Sequence, residues 1–128
     1  MPKIVCAEDD KLISASLIQA FTAAGFEAIP AYDGEEAVSK IIESKPDIVL
    51  LDIMMPKLDG IGVAWELKSK PDTADLPMVM LTNLSDTETI SKIMDAGITD
   101  YLLKSEQTID QIVGKVQEVL GRPPMAHA

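Results

Sequence analysis

The chain has 128 residues, with 11 Lys and Arg against 21 Asp and Glu, a formal net charge of −10 and a single cysteine, Cys6. That length fits one domain with a real core, the acidic excess disfavours direct binding of nucleic acid by this chain, and a lone cysteine excludes an intramolecular disulfide. No apolar stretch is long enough to span a bilayer, and Glu8, Asp9 and Asp10 interrupt the first apolar run too early for a signal peptide, so a cytoplasmic protein without membrane contact is expected.

In chain order, Lys3 to Ala7 reads as a first strand that stops at the acidic cluster Glu8, Asp9 and Asp10. The segment from Leu12 to Ala24 places Ile13, Leu17, Ala20, Phe21 and Ala24 on one helical face, with Ser14, Ser16 and Gln19 pointing elsewhere and Gly25 closing the helix. Phe26 to Ala31 is a second strand, and Pro30 confines it to a sheet edge because proline cannot donate to a ladder. Asp33 caps a helix that turns Ala37, Val38, Ile41 and Ile42 inward, with Glu35 and Glu36 in its first turn, where the helix dipole favours anions.

Ile48 to Leu51 is an unbroken apolar run, the pattern of a strand buried on both faces of a parallel sheet. Asp52 stands at its end, and Pro46 and Pro56 keep the strand short. Asp59 and Gly60 open a helix with Val63, Ala64 and Leu67 on its packed face. Trp65 falls off that stripe, as a partly covered surface residue or a partner contact does. Met78 to Leu81 is a fourth strand ending at Thr82, and Asp86 caps a helix presenting Ile90, Ile93 and Met94 that Gly97 closes. Ile98 to Leu103 is a fifth strand ending at Lys104. The last helix carries Ile109, Ile112, Val113, Val116 and Leu120, and Gly121 ends it. One domain over residues 1–121 is expected, followed by a frayed tail from Arg122 to Ala128 that holds the lone histidine, His127.

Five strands alternating with five helices describe an α/β domain, a flavodoxin-like three-layer sandwich around a parallel sheet. With the proline-bearing strand at an edge, the order 2-1-3-4-5 fits best, and its switch point falls between strands one and three. Glu8, Asp9 and Asp52 would meet there. Two carboxylates about 4 Å apart repel by roughly 4 kcal/mol at an effective dielectric near 20, so such a cluster takes up a proton or holds a cation. Mg²⁺ suits this incomplete oxygen shell, with Mn²⁺ as a substitute. Asp10 is assigned to capping the first helix instead. Thr82 and Lys104 add a hydroxyl and an ammonium from strands four and five, what a bound phosphoryl group requires beyond a metal; taken singly, Thr82 fits a cap and Lys104 a snorkelling surface residue.

As an ordered set, Glu8-Asp9-Asp10, Leu-Leu-Asp52-Ile-Met-Met-Pro56, Asp59-Gly60, Leu81-Thr82 and Asp100-Tyr101-Leu-Leu-Lys104 resemble the receiver domains of two-component response regulators, from Lys3 to Gly121. The resemblance implies that Asp52 is the phosphoacceptor for a sensor histidine kinase or phosphotransfer protein. It implies that Asp9 and Asp52 ligate Mg²⁺ through their carboxylates, Met54 through its backbone carbonyl and Glu8 through water, and that Lys104 pairs with Asp52 or the phosphoryl oxygens. Thr82 and Tyr101 would be the switch pair, reshaping a face of helix four, strand five and helix five that binds a downstream protein or a second copy. On its residue type alone, Tyr101 reads as an amphipathic aromatic at a strand edge.

Three departures from the family pattern stand out. Asn83 follows Thr82 where a smaller residue is usual, which narrows access of bulky phosphodonors. Ser105 follows Lys104 where proline in a cis peptide is usual; the cost of a non-proline cis bond, about 2.5–4 kcal/mol, leaves a trans bond with a reshaped loop or a strained one. Met54 and Leu84 are both apolar at positions that tune water access, so slow self-dephosphorylation is expected. Among rival readings, a haloacid-dehalogenase-type phosphatase needs a second acid where Met54 stands, and a flavin binder needs a phosphate loop where Glu8 to Asp10 would repel it. A non-phosphorylated interaction module on the same fold is the most serious alternative. With no effector segment after Gly121, the expectation is either a stand-alone receiver or the front of a longer regulator with an output domain.

Overall fold

The structure is a computed structural model and describes residues 1–83, 86–98 and 100–121. The elements are β1 (Lys3–Ala7), α1 (Lys11–Ala23), β2 (Glu27–Ala31), α2 (Gly34–Ser44), β3 (Ile48–Asp52), α3 (Gly60–Lys68), β4 (Met78–Thr82), α4 (Thr87–Asp95), β5 (Asp100–Leu103), a short 3₁₀ turn (Lys104–Glu106) and α5 (Ile109–Leu120). The strands form one parallel sheet in the order β2-β1-β3-β4-β5. Pro30 lies on the edge strand, opposite Cys6.

Alternation along the strands divides the interior into two cores. Val5, Ala7, Val49, Leu51 and Met80 pack under α2, α3 and α4, whereas Ile4, Cys6, Ile48, Leu50, Val79 and Leu81 pack under α1 and α5. Both faces are covered, which is why β3 and β4 can be apolar without interruption. Burial pushes the Cys6 thiol up to about 12, leaving an inert core residue.

Helix starts follow their caps. Asp10, Asp33, Asp59 and Asp86 each accept a hydrogen bond from a first-turn amide, and Thr108 forms a reciprocal capping box with Gln111. Gly25 and Gly97 follow the ends of α1 and α4 with φ of 94° and 81°, where a side chain would be strained.

Four side chains depart from the expected helical faces, the first of them Ala24, which is exposed as the C-cap just past the end of α1. Ile42 and Met94 were expected inward but are 45% and 59% exposed, because the single stripes that bury Ile41 and Ile93 leave adjacent positions facing outward. Ser14 was expected to point away from the core and is buried instead, one turn before Leu17, and its Oγ has no hydrogen-bond partner. Ser14→Ala removes an unsatisfied hydroxyl and improves helix propensity, so stability rises by about 1 kcal/mol, read as a higher urea midpoint at unchanged m-value. Trp65, at 53% exposed, stands off the packed face as its position indicates. Among the described residues no helix is long and apolar enough to cross a membrane. The segment from Arg122 to Ala128, with His127, lies outside the described residues, as does Leu84.

Candidate functional site

Register builds the site. β1 and β3 pair through Ala7 and Leu51, so the next step along both strands sets Glu8 beside Asp52. Asp52 in turn pairs with Leu81, and Leu81 with Leu102, two residues before Lys104. The two-residue period therefore gives Glu8, Asp52 and Lys104 the same side of the sheet at its carboxyl edge.

One carboxylate oxygen each from Glu8, Asp9 and Asp52 lies within 4.8 Å of the others. Glu8 and Asp52 are buried and Asp9 is exposed, so the cluster is open to solvent on one side. Lys104 Nζ donates to Asp52 Oδ2 at 2.6 Å and also to Glu8 Oε1. The Asp10 amide donates to Glu8 Oε2 at 3.1 Å, and the Met54 amide to Asp52 Oδ1 at 3.3 Å. Burial, reinforced by the hydrogen bond and charge of Asp52, pushes Glu8 up to about 7 against the opposing pull of Lys104 and the Asp10 amide. Burial draws the Lys104 ammonium down, but hydrogen bonds to Asp52 and Glu8 outweigh it and the net shift is upward.

The loop after β3 holds Asp52 in place. Ile53 N–H donates to Leu81 O at 3.1 Å, Gly60 N–H donates to Ile53 O at 2.9 Å, and the chain reverses at Lys57, whose φ is 69°. A Cβ on Gly60 would lie 2.4 Å from the Asp52 carbonyl oxygen, so only glycine permits α3 to start this close to the strand end. Asp9, Met54, Pro56 and Asp59 line the depression beside the cluster, and Met54 is 65% exposed.

Thr82 is buried at the end of β4, opposite Leu103. Tyr101 is partly buried against the core under α2, α3 and α4, opposite Met80. By strand period Thr82 and Tyr101 share that sheet face. Among the described residues no peptide bond is cis, so the connection from Lys104 to Ser105 takes the trans alternative, reshaped into the 3₁₀ turn. Glu8, Asp9, Asp52, Met54, Thr82 and Lys104 thus sit at or beside one sheet edge, and Tyr101 lies within β5. The link between Glu8 and Lys104 was not anticipated; the shared even-numbered step of Glu8, Asp52 and Lys104 along their strands was the signal for it.

The family model described as the response regulator receiver domain matches residues 4–117. The chain is 33% identical over 122 residues to the DNA-binding dual master transcriptional regulator RpaA of Synechocystis, covering 95% of this chain and 50% of that protein. It is 37% identical over 120 residues to a probable transcriptional regulator, ycf27, of Porphyridium aerugineum, covering 94% of this chain and 48% of that one. The receiver domain of the Francisella response regulator 1452 superposes with a TM-score of 0.84 at 32% identity, over 94% of this chain and 97% of that one. This chain belongs to the receiver domain family of two-component response regulators, a family of signalling domains. It spans about half the length of these curated relatives.

Proposed function

We propose that this chain accepts a phosphoryl group on Asp52 from the phosphohistidine of a sensor kinase or phosphotransfer protein, and that the resulting acyl phosphate switches a partner-binding face. The observation that carries the reading is the convergence of three carboxylates with the Lys104 ammonium around Asp52. The donor set fits a hard divalent cation, because carboxylates at this spacing, one of them exposed, offer part of an oxygen shell and leave room for water and a phosphate oxygen. Asp9 and Asp52 would hold Mg²⁺ or Mn²⁺ with their carboxylates, Met54 with its backbone carbonyl and Glu8 through water. When bound, the ion neutralises charge on the transferring phosphoryl oxygens.

The chain's own groups do the rest. An oxygen of Asp52 bonds to phosphorus as the N–P bond of the donor breaks, and the electron pair stays on the imidazole nitrogen. Lys104, already on Asp52, moves onto a phosphoryl oxygen, and the Thr82 hydroxyl turns toward another; no general base is needed. As Thr82 moves, Tyr101 on the same sheet face turns inward and reshapes the surface of α4, β5 and α5. That surface would bind a downstream protein, an output domain or a second copy. Such an output domain, and not this acidic chain, would supply any nucleic-acid binding. A cytoplasmic location accords with the reading.

Incubation with a small phosphodonor and Mg²⁺ tests it by intact mass. The expected result is one phosphoryl group per chain, dependent on the cation and abolished in Asp52→Asn. Release of many phosphates per chain would mean a phosphatase, and no labelling would favour the non-phosphorylated interaction module.

A further inference from the structure

A cavity of about 680 Å³ opens at the edge of the sheet opposite Asp52, where the α2–β3 and α3–β4 connections meet. Its size lies in the range of small-molecule sites. Ile41, Ile42 and Leu76 line it with apolar surface, and Lys45, Lys70 and Asp72 are its charged lining residues. Two of the three charged lining residues are cationic in a chain whose net charge is −10, although Glu66 offsets Lys70.

The site is pre-formed. Thr73 Oγ1 donates to Leu67 O at 2.6 Å, Thr73 N–H to Lys70 O at 3.2 Å and Leu76 N–H to Thr73 O at 3.1 Å, which fixes the α3–β4 wall. Lys70 shares its ammonium with Glu66 at 3.2 Å, whereas Lys45 Nζ forms no ion pair or hydrogen bond among the described residues. Lys45 is also left-handed, with φ 52° and ψ 63° at the end of α2, a position that glycine or asparagine usually takes. Complementing the helix dipole accounts for a cation near that end, but not for a lysine held at a strained residue over an apolar hollow.

We propose that this cavity binds a small amphiphilic carboxylate, its head on the Lys45 and Lys70 ammoniums and its hydrocarbon over Ile41, Ile42 and Leu76. The site is independent of phosphorylation chemistry, so Asp52→Asn binds the same ligand. The test is a ¹H–¹⁵N correlation titration of the full chain with sodium octanoate, in parallel with 1-octanol. Saturable shifts confined to amides of residues 41–45, 70 and 72–76 are expected. Affinity should fall about tenfold in Lys45→Gly, the loss of one charge-assisted contact, while the melting temperature does not drop, because glycine suits the left-handed position. Lys45→Gln, which keeps the side-chain bulk, should lose affinity equally. Shifts that fail to saturate or lie elsewhere, octanol binding as tightly as octanoate, or unchanged affinity in both Lys45 variants would overturn the proposal.

Discussion

Lys104→Met is expected to slow labelling of Asp52 by a small phosphodonor about 10²-fold, the scale for losing one preorganised donor to a developing phosphoryl charge. Its effect on stability should depend on pH with a definite sign. Lys104 is the counter-charge shared by buried Glu8 and Asp52. Breaking a fully buried pair costs about 3–5 kcal/mol; with the lysine partly exposed and Glu8 able to take up a proton, about 1–3 kcal/mol is expected at pH 8 in EDTA. Glu8 already titrates near 7 in the folded chain against an ordinary value of 4.5. The native state therefore binds a proton that the unfolded state has lost between those two values, and wild-type stability declines as pH rises through that window. Without Lys104, whose hydrogen bond pulls Glu8 down, the window extends above 7. Thermal melts should show a small penalty at pH 5 and a larger one at pH 8. An equal penalty at both would mean that Lys104 acts through packing alone.

Gly34→Ala should be the most destabilising of the Gly→Ala substitutions, at about 2–4 kcal/mol. A Cβ there would lie 1.8 Å from the Leu58 carbonyl oxygen. That contact is with backbone, which cannot rotate away, and Gly34 N–H also donates to Pro56 O at 3.3 Å. To admit the methyl, α2 must lift from the loop that carries Met54 and Pro56, so labelling should slow as well. Gly114→Ala is the control. Gly114 is exposed within α5 with nothing within 4 Å of its Cβ position, and the same substitution should add about 0.5–1 kcal/mol. Urea melts of the two variants that shift in the same direction would contradict this picture.

The architecture was legible because it is written in local signals. Uninterrupted apolar runs at Ile48–Leu51 and Met78–Leu81 marked central strands, and Pro30 marked an edge, which together give the observed strand order. Aspartates before helices read directly as caps. What was misread depended on the width of a buried stripe. Ile42 and Met94 are apolar by type but lie just outside it, and Ser14 is polar by type but lies within it. The carboxylate cluster was legible for the same reason as the strands, since acids at the ends of adjacent inner strands must meet. The shared lysine of Glu8 and Asp52 needs the register across four strands, and the requirement for glycine at Gly34 and Gly60 comes from backbone that is remote in sequence from Gly34 and a loop away from Gly60. Side-chain periodicity carries neither.

If Asp52 is the covalent carrier of phosphorus, borohydride trapping will locate it. After treatment with a phosphodonor and Mg²⁺, reduction of an acyl phosphate converts the aspartate to homoserine, which peptide mass spectrometry locates. Homoserine at position 52 alone, absent when Mg²⁺ is withheld, is the predicted result. Conversion at Asp9, Asp10 or another acid with Asp52 intact, or none in a folded and metal-loaded sample, would contradict it.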